Sequence, residues 1–409
     1  MAPRRRRQQG KRPGGSLGWE ERLRVQRDAE TVQSVEALLA APELDVTQLR
    51  KIAAARGLAN NRLRARVWPL LLGIDIDAFS YDQYDELARM DHADTPTLKA
   101  DIARSLWSFT DGWSDEARQE KRDALMRLLN AVVNYSAGDV RYYQGLHDIA
   151  SVLLLTVGER LAFPLLHRLS TSHLRDCTRP TLEPVAELLQ LQVPILDMAD
   201  RQLARLLEGM QLPCYFALSW YITWFSHDVR SLGELARLFD LFLSAHPMMP
   251  LYVGAACMAA AREELICVED VSLMHQALVN LRVGKYMTTD ELIRRALALY
   301  AKARPKQVLR RRGLRPQFTT APDAFKKGGC WEVPEAPLPR PNGIPLRTLN
   351  WGKWCLKGMG GLVPGGVKVY AALSLSGLVV LSAYFVTRIM DHQMSELQEQ
   401  AWDDMFVSN

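Results

Sequence analysis

Two short stretches hold the side chains best suited to polar chemistry. In Leu98-Lys99-Ala100-Asp101-Ile102-Ala103-Arg104 a carboxylate stands three residues before a guanidinium. In Tyr142-Tyr143-Gln144-Gly145-Leu146-His147-Asp148 an amide is followed by a glycine, an imidazole and a carboxylate. A guanidinium is planar, always charged and donates several bonds at once, which suits it to negative charge spread over oxygens. A glutamine amide both donates and accepts, so one side chain can hold a water and bond an anionic oxygen. Neither fragment means much alone, because arginine and glutamine usually lie on solvated faces.

The elements around them read as helices. From Trp19 onward the apolar spacing is helical. Val46–Arg56 is expected to be a helix closed by Gly57. Asn60 or Asn61 can cap a helix over Arg62–Leu72, which Gly73 ends and Pro69 is expected to kink. Ser114 can cap a helix with Asp115 and Glu116 in its first turn, where the helix dipole favours acid. Its core face is Leu125, Leu128, Leu129, Val132 and Val133, at i, i+3, i+4, i+7, i+8 spacing. Gly138–Gly145 is a connection that holds Gln144, and Ile149–Val157 reads as a buried helix, although periodicity alone does not separate it from a strand. Thr181–Met198 and Gln202–Met210 read as helices, and Thr288-Thr289-Asp290-Glu291 as a capping box opening Leu292–Ala303. There is no internal repeat and no alternating strand pattern, so the fold class is all-α.

Composition narrows the function. The 409 residues are 48% hydrophobic and 24% charged, ample for a large core with room for tails. The net charge of +5 is uneven, with a basic arm at Arg4–Arg7, Lys11 and Arg12 and a basic run from Arg304 to Arg315. Both runs read as solvated tails or as segments drawn to anionic lipid. Neither is interleaved with aromatics, which disfavours nucleic acid. The 6 cysteines form no C-x-x-C pair, against a zinc site or a disulfide framework. Gly14-Gly15-Ser16-Leu17-Gly18 matches a nucleophile elbow in letters but lacks the strand before it. No phosphate-binding G-x-x-x-x-G-K-[ST] is present, so the chain is not read as an NTPase; there is no H-E-x-x-H, and His167 and His173 do not share a helix face. Asn134-Tyr135-Ser136 is a glycosylation sequon that a cytosolic placement leaves unused.

Taken together, the two opening stretches resemble the I-x-x-D-x-x-R and Y-x-Q motifs of the TBC domain, found in GTPase-activating proteins for Rab-family small GTPases. Arg64-Ala65-Arg66-Val67-Trp68-Pro69-Leu70-Leu71-Leu72-Gly73 is similar to the opening motif of that family, R-x-x-v-W-x-x-L-L-G. Ser219-Trp220-Tyr221-Ile222-Thr223-Trp224-Phe225 and Arg237-Leu238-Phe239-Asp240 resemble its third block. The likeness covers roughly residues 45–300. It departs from the family at Ala103, where proline is common, and at His147, where asparagine is common.

The resemblance implies a multi-helix domain over 19–304 that binds a Rab GTPase and speeds its GTP hydrolysis. Arg104 and Gln144 would be the catalytic pair, supplied in trans. The domain would have no cofactor or metal of its own, since GTP and Mg²⁺ belong to the partner. Asp101 either holds Arg104 or caps a helix. Tyr142 is expected beneath the Gln144 loop, with Gly145 beside it and Asp148 tying the loop to the next helix. Arg64 either pairs with an acid or is exposed, and Trp68 is core. The rival reading is a membrane-anchored helical tether that binds a GTPase or trafficking factor without catalysis. A purely structural membrane protein leaves the large helical domain unexplained.

The ends complete the organisation. Residues 1–18 are a basic arm expected to be disordered. Residues 305–349 change to proline, glycine and basic residues and read as a weakly structured linker. Residues 350–366 mix tryptophan with lysine, as at a membrane interface. Val369–Thr387 carries no charge and comes close to the ~20 residues that span a hydrocarbon core, which makes 367–387 a transmembrane helix. Lys353, Lys357 and Lys368 precede it, and the acidic tail 388–409 follows. The basic side stays cytosolic, so the N-terminus and the helical domain face the cytosol and the tail a lumen. No signal sequence precedes this tail anchor. Its modest length, with Ser and Ala, suits the thinner endoplasmic reticulum membrane or the Golgi. Ala372 and Ser376 form a small-xxx-small pair.

Overall fold

A computed structural model describes residues 18–106, 109–319 and 321–323. The arm before residue 18 and the stretches read as juxtamembrane segment, span and acidic tail lie outside the described residues. Among those described, no helix is long and apolar enough to cross a membrane.

The helices begin where the sequence supplies caps. After α1 (Trp19–Leu39), α2 (Val46–Ala55) starts at Asp45, whose carboxylate accepts from Gln48 N. Asn60 accepts from Leu63 N to start α3 (Asn61–Leu72), which Gly73 ends in the left-handed region at φ 63°. Then come α4 (Tyr81–Leu87) and α5 (Thr95–Ala103). Ser114 accepts from Ala117 N and opens α6 (Asp115–Tyr135). The apolar run after Gln144 is a helix, α7 (Leu146–Val157), followed by α8 (Glu159–Thr171). α7 packs against α3, α5, α6, α8 and α13 (Leu232–Ser244), which explains why it is apolar nearly all round.

Two expectations change. Thr181–Met198 is not one helix but two, α9 (Glu183–Leu189) and α10 (Gln192–Leu196). Pro194 has no N–H and its ring conflicts with the carbonyl of residue 190, so the chain breaks there and Pro194 falls in the first turn of α10. The stretch read as linker starts later than residue 305. After α11 (Arg201–Gly209), α12 (Leu218–Ile222), α14 (Met249–Ala260), α15 (Arg262–Leu265), α16 (Val271–Val279) and α17 (Thr289–Lys302) comes α18 (Pro305–Arg312). Pro305 sits where proline starts a helix rather than breaks one, and Val308 is buried. Among the described residues there is no β-strand element.

The core is fixed at its centre by one carboxylate. Asp240 on α13 is fully buried. It accepts from Arg64 Nε (3.1 Å) and Nη2 (2.9 Å), from Trp68 Nε1 (2.9 Å) and from Leu58 N (2.8 Å). Arg64 is therefore paired with an acid and not exposed, and Trp68 is core. Around them Trp224 meets Phe239 at 5.1 Å and Phe242 at 5.2 Å between ring centres. Arg237, one turn before Asp240, donates to the carbonyls of Ala54 and Ala55 at the end of α2. Gly57 has φ 79°, and an added Cβ would lie 2.5 Å from Arg237 Cδ, so only glycine lets that arginine reach the helix end.

Removing one partner of a buried charge pair leaves the other uncompensated. Asp240→Ala is expected to cost about 3–5 kcal/mol of stability, read from the urea midpoint. A midpoint equal to that of the unmodified protein would show that water satisfies Arg64 and that the cluster is not a structural joint.

Candidate functional site

α5 places Arg104. The residue follows the last helical position, with φ −103° and ψ 9°. Its guanidinium is 53% exposed and is paired with Asp101, whose carboxylate is 3% exposed. Asp101 lies in the last turn of α5, so of its two roles it holds the arginine side chain and does not start a helix. Leu106 then takes φ 72°, a left-handed value costly for a branched residue, and turns the chain away behind Arg104.

The connection after α6 places Gln144. Arg141 grips Asp94, just before α5, with two bonds of 3.0 Å, and Tyr142 N donates to the same carboxylate at 3.2 Å. Arg141 N donates to the carbonyl of Thr178 at 3.0 Å. Tyr142 and Tyr143 point inward and are buried, while Gln144 is exposed. Among the described residues the Gln144 amide makes no hydrogen bond. Gly145 has φ 120°; a Cβ there would lie 3.1 Å from Thr223 Cγ2 and 3.4 Å from the carbonyl of Ile222. The loop thus presses on the end of α12. Trp224 and Phe225 follow at φ 50° and 65°, which ends the helix and leaves Ile222 O without a helical donor. The Tyr143 hydroxyl supplies that donor at 2.9 Å.

The two loops share one buried network. The Tyr142 hydroxyl donates to Asp101 Oδ2 at 2.7 Å and meets His147 Nδ1 at 2.9 Å. A hydroxyl has one proton; with that proton on Asp101, the proton of the second bond must come from His147 Nδ1. His147 Nε2 lies 3.5 Å from Asp148 Oδ2, which accepts from His227 Nε2 at 2.9 Å. Burial, and then the Asp101 charge, push the Tyr142 phenol far above its ordinary range, so it keeps its proton. Burial works to raise the Asp148 carboxyl, but His147, His227 and Arg104 outweigh it and hold the group below its usual value.

Arg104, Gln144, Asp101, Tyr142, Gly145 and Asp148 are therefore brought together, whereas Arg64 and Trp68 belong to the Asp240 cluster. Sequence reasoning did not assign roles to Asp94, Arg141, Tyr143, His147 or His227. Asp94-Thr95-Pro96 is a legible helix-start signal, and His147 stood out as a departure. Nothing in the order of residues points to His227. No group of three His, Cys, Asp or Glu side chains that could hold a metal occurs among the described residues.

The fold is that of GTPase-activator domains of the TBC class. It resembles the solved Ypt/Rab-GAP domain of Gyp1p with a TM-score of 0.55 at 15% identity, covering 68% of this chain and 99% of that one. It also resembles the Chlamydomonas flagellar RabGAP TBC domain, with a TM-score of 0.53 at 18% identity, covering 68% and 93%. The family model of the Rab-GTPase-TBC domain matches residues 61–266, and this chain belongs to that family. It is 32% identical over 305 residues to TBC1 domain family member 20 of Bos taurus, 74% of each chain. It is 34% identical over 223 residues to the GTPase-activating protein gyp10 of Schizosaccharomyces pombe, 54% of this chain and 59% of that one.

Beside His227, Asp228 is a buried carboxylate with one weak partner, Arg282 Nη1 at 3.4 Å, and Oδ2 has none among the described residues. Burial pushes its carboxyl up to about 6, with Arg282 and His227 pulling the other way. An acid whose folded value is raised contributes stability below its ordinary value near 3.8 and loses it as pH rises through about 6. Asp228→Asn is therefore expected to match the unmodified protein near pH 4 and to exceed it by about 1–3 kcal/mol at pH 7.5. Urea midpoints at the two pH values measure this; an unmodified protein that is the more stable at pH 7.5 would overturn it.

Proposed function

We propose that this protein stimulates GTP hydrolysis by a Rab small GTPase of the early secretory pathway, supplying Arg104 and Gln144 in trans. Membership of the Rab-GTPase-TBC family supports the activity, as does likeness to a relative named a GTPase-activating protein. One observation supports the two residues. Both are exposed, yet the groups that hold them, Asp101 and Tyr142, are buried and bonded to each other.

Hydrolysis by a small GTPase is slow because charge builds on the transferring phosphoryl group and the attacking water is poorly held. An arginine inserted from a partner is worth about 10³–10⁵ in rate. Arg104 meets that need with a guanidinium already oriented by Asp101, which reduces the freedom lost on docking. Gln144 holds the water with its carbonyl and bonds the phosphoryl oxygen with its amide. The partner brings GTP and Mg²⁺; this chain supplies no cofactor and cleaves no nucleotide itself. It would act from the endoplasmic reticulum or Golgi membrane, anchored by residues 367–387 with the helical domain cytosolic.

Arg104→Ala is expected to cut stimulated hydrolysis at least about a hundredfold with the fold intact, and Arg104→Lys to fail nearly as badly because an ammonium lacks the planar fork. Gln144→Ala is expected to abolish stimulation. A Rab whose own glutamine is changed to alanine is expected to stay within about tenfold of normal, about 1.4 kcal/mol of barrier. Single-turnover hydrolysis across these combinations isolates the chemistry. An unresponsive altered Rab, with Gln144→Ala still active on the normal one, would make Gln144 a loop-stabilising amide. Rab binding without stimulation would favour the tether.

The anchor has its own test in microsomes. A glycosylation acceptor added after Asn409 is expected to be modified, and one placed before Gly343 to stay unmodified. The reverse pattern would overturn the orientation.

A further inference from the structure

The chain beyond α18 returns to the segment that backs the glutamine loop. Gly313, at φ 63°, ends α18. Three successive backbone N–H groups then converge on the Glu187 carboxylate of α9: Gln317 N at 2.8 Å from Oε1, with Phe318 N at 2.8 Å and Thr319 N at 3.0 Å from Oε2. Consecutive amides aimed at one point form an anion-binding concavity, and here the chain fills it with its own acid. The Thr319 hydroxyl donates to Asp176 Oδ2 and accepts from Ala321 N at 3.1 Å. Asp176 is buried, and burial pushes its carboxyl up to about 6 while Thr319 pulls it back.

The segment after Asp176 carries the glutamine loop. The Cys177 thiol is buried in it. The Thr178 carbonyl accepts from Arg141 N at 3.0 Å, and the Thr178 hydroxyl fixes the segment by donating to Ser170 O at 3.0 Å. Arg141 stands three residues before the exposed Gln144 on the same connection, so a shift at Asp176 reaches that amide through the Thr178–Arg141 bond.

We propose that residues 317–319 are a strap that holds the glutamine loop in register, with Glu187, Asp176 and Thr319 as positioning residues for Gln144. This rests on the reading that Gln144 acts in hydrolysis. The strap lies between the helical domain and the part of the chain that leads toward residue 367, so the loop answers to the C-terminal side of the molecule. A purely structural strap would affect folding and leave the loop and the rate alone.

The test uses the full-length chain with Thr319→Val, which keeps the side chain's shape and removes its hydroxyl, and Thr319→Ser, which restores the hydroxyl. Two readouts are taken: single-turnover stimulation of a Rab·GTP substrate, and hydrogen exchange at the Arg141–Gln144 amides. Thr319→Val is expected to lower the maximal stimulated rate about tenfold with the half-saturating concentration unchanged, and to speed loop exchange about tenfold while α17 exchanges as before. Thr319→Ser is expected to restore both. An unchanged rate or unchanged loop exchange in Thr319→Val overturns the proposal, as does exchange that rises equally in α17. If Thr319→Val does not fold, Glu187→Gln is measured in the same two ways, and the same results support or overturn the strap. Should the unmodified protein give no stimulation, the functional reading fails, and loop exchange alone then decides whether the strap holds the loop.

Discussion

The buried carboxylate of Asp101 is the joint on which the arrangement depends. One oxygen takes the Arg104 guanidinium and the other the Tyr142 hydroxyl, so a helix end and a loop from distant parts of the chain meet on a single group. A carboxylate this buried is costly unless nearly all its lone pairs are used. The two donors share in meeting that cost, and in doing so they set the register of the two loops. Asp94 repeats the device at the other end of α5, taking Arg141 and the backbone of Tyr142. The glutamine loop is thus pinned to both ends of one short helix.

Asp240 does the corresponding work for the fold, and the two clusters show that motif residues divide into two kinds. Arg64 and Asp240 are far apart in sequence and meet with full burial, a Trp68 indole and a backbone amide completing the shell. Nothing of that cluster is left to offer a partner. Arg104 and Gln144 belong to the other kind, since their supports are buried and their own polar atoms are not. Burial, rather than membership in a motif, separates a residue that builds the domain from one that faces outward.

Much of this was legible from residue order where local chemistry decides. Asn60, Ser114 and Thr288 cap helices as their side chains allow, and Gly57 and Gly73 end them with positive φ. The helix read over Ile149–Val157 from its length and leucines is present and begins three residues earlier, at Leu146. Legibility failed where one residue serves opposite purposes. Pro194 splits an apolar run that otherwise reads as one helix, while Pro305 starts a helix in a stretch whose composition reads as linker. In the site, the Asp101–Arg104 spacing was readable, but the choice between capping and pairing needed the position of the helix end, which puts Asp101 in the last turn of α5. His227 approaches Asp148 only through the turn that Trp224 and Phe225 make in strained backbone, and residue order carries no trace of that contact.

The exposure of Arg104 bears on whether function and stability can be separated in this domain. A half-exposed arginine paired with a carboxylate is worth at most about 1 kcal/mol once solvent screening is counted. Asp101 keeps the Tyr142 hydroxyl if the arginine is removed, so it is not left bare. The fold therefore has little need of Arg104, in contrast to Arg64, whose loss would strand a fully buried acid. A costly support, Asp101, carries a side chain that contributes little to folding. That asymmetry is expected where the purpose of the support is to aim a charge outward, since a guanidinium kept for stability alone would be buried as Arg64 is.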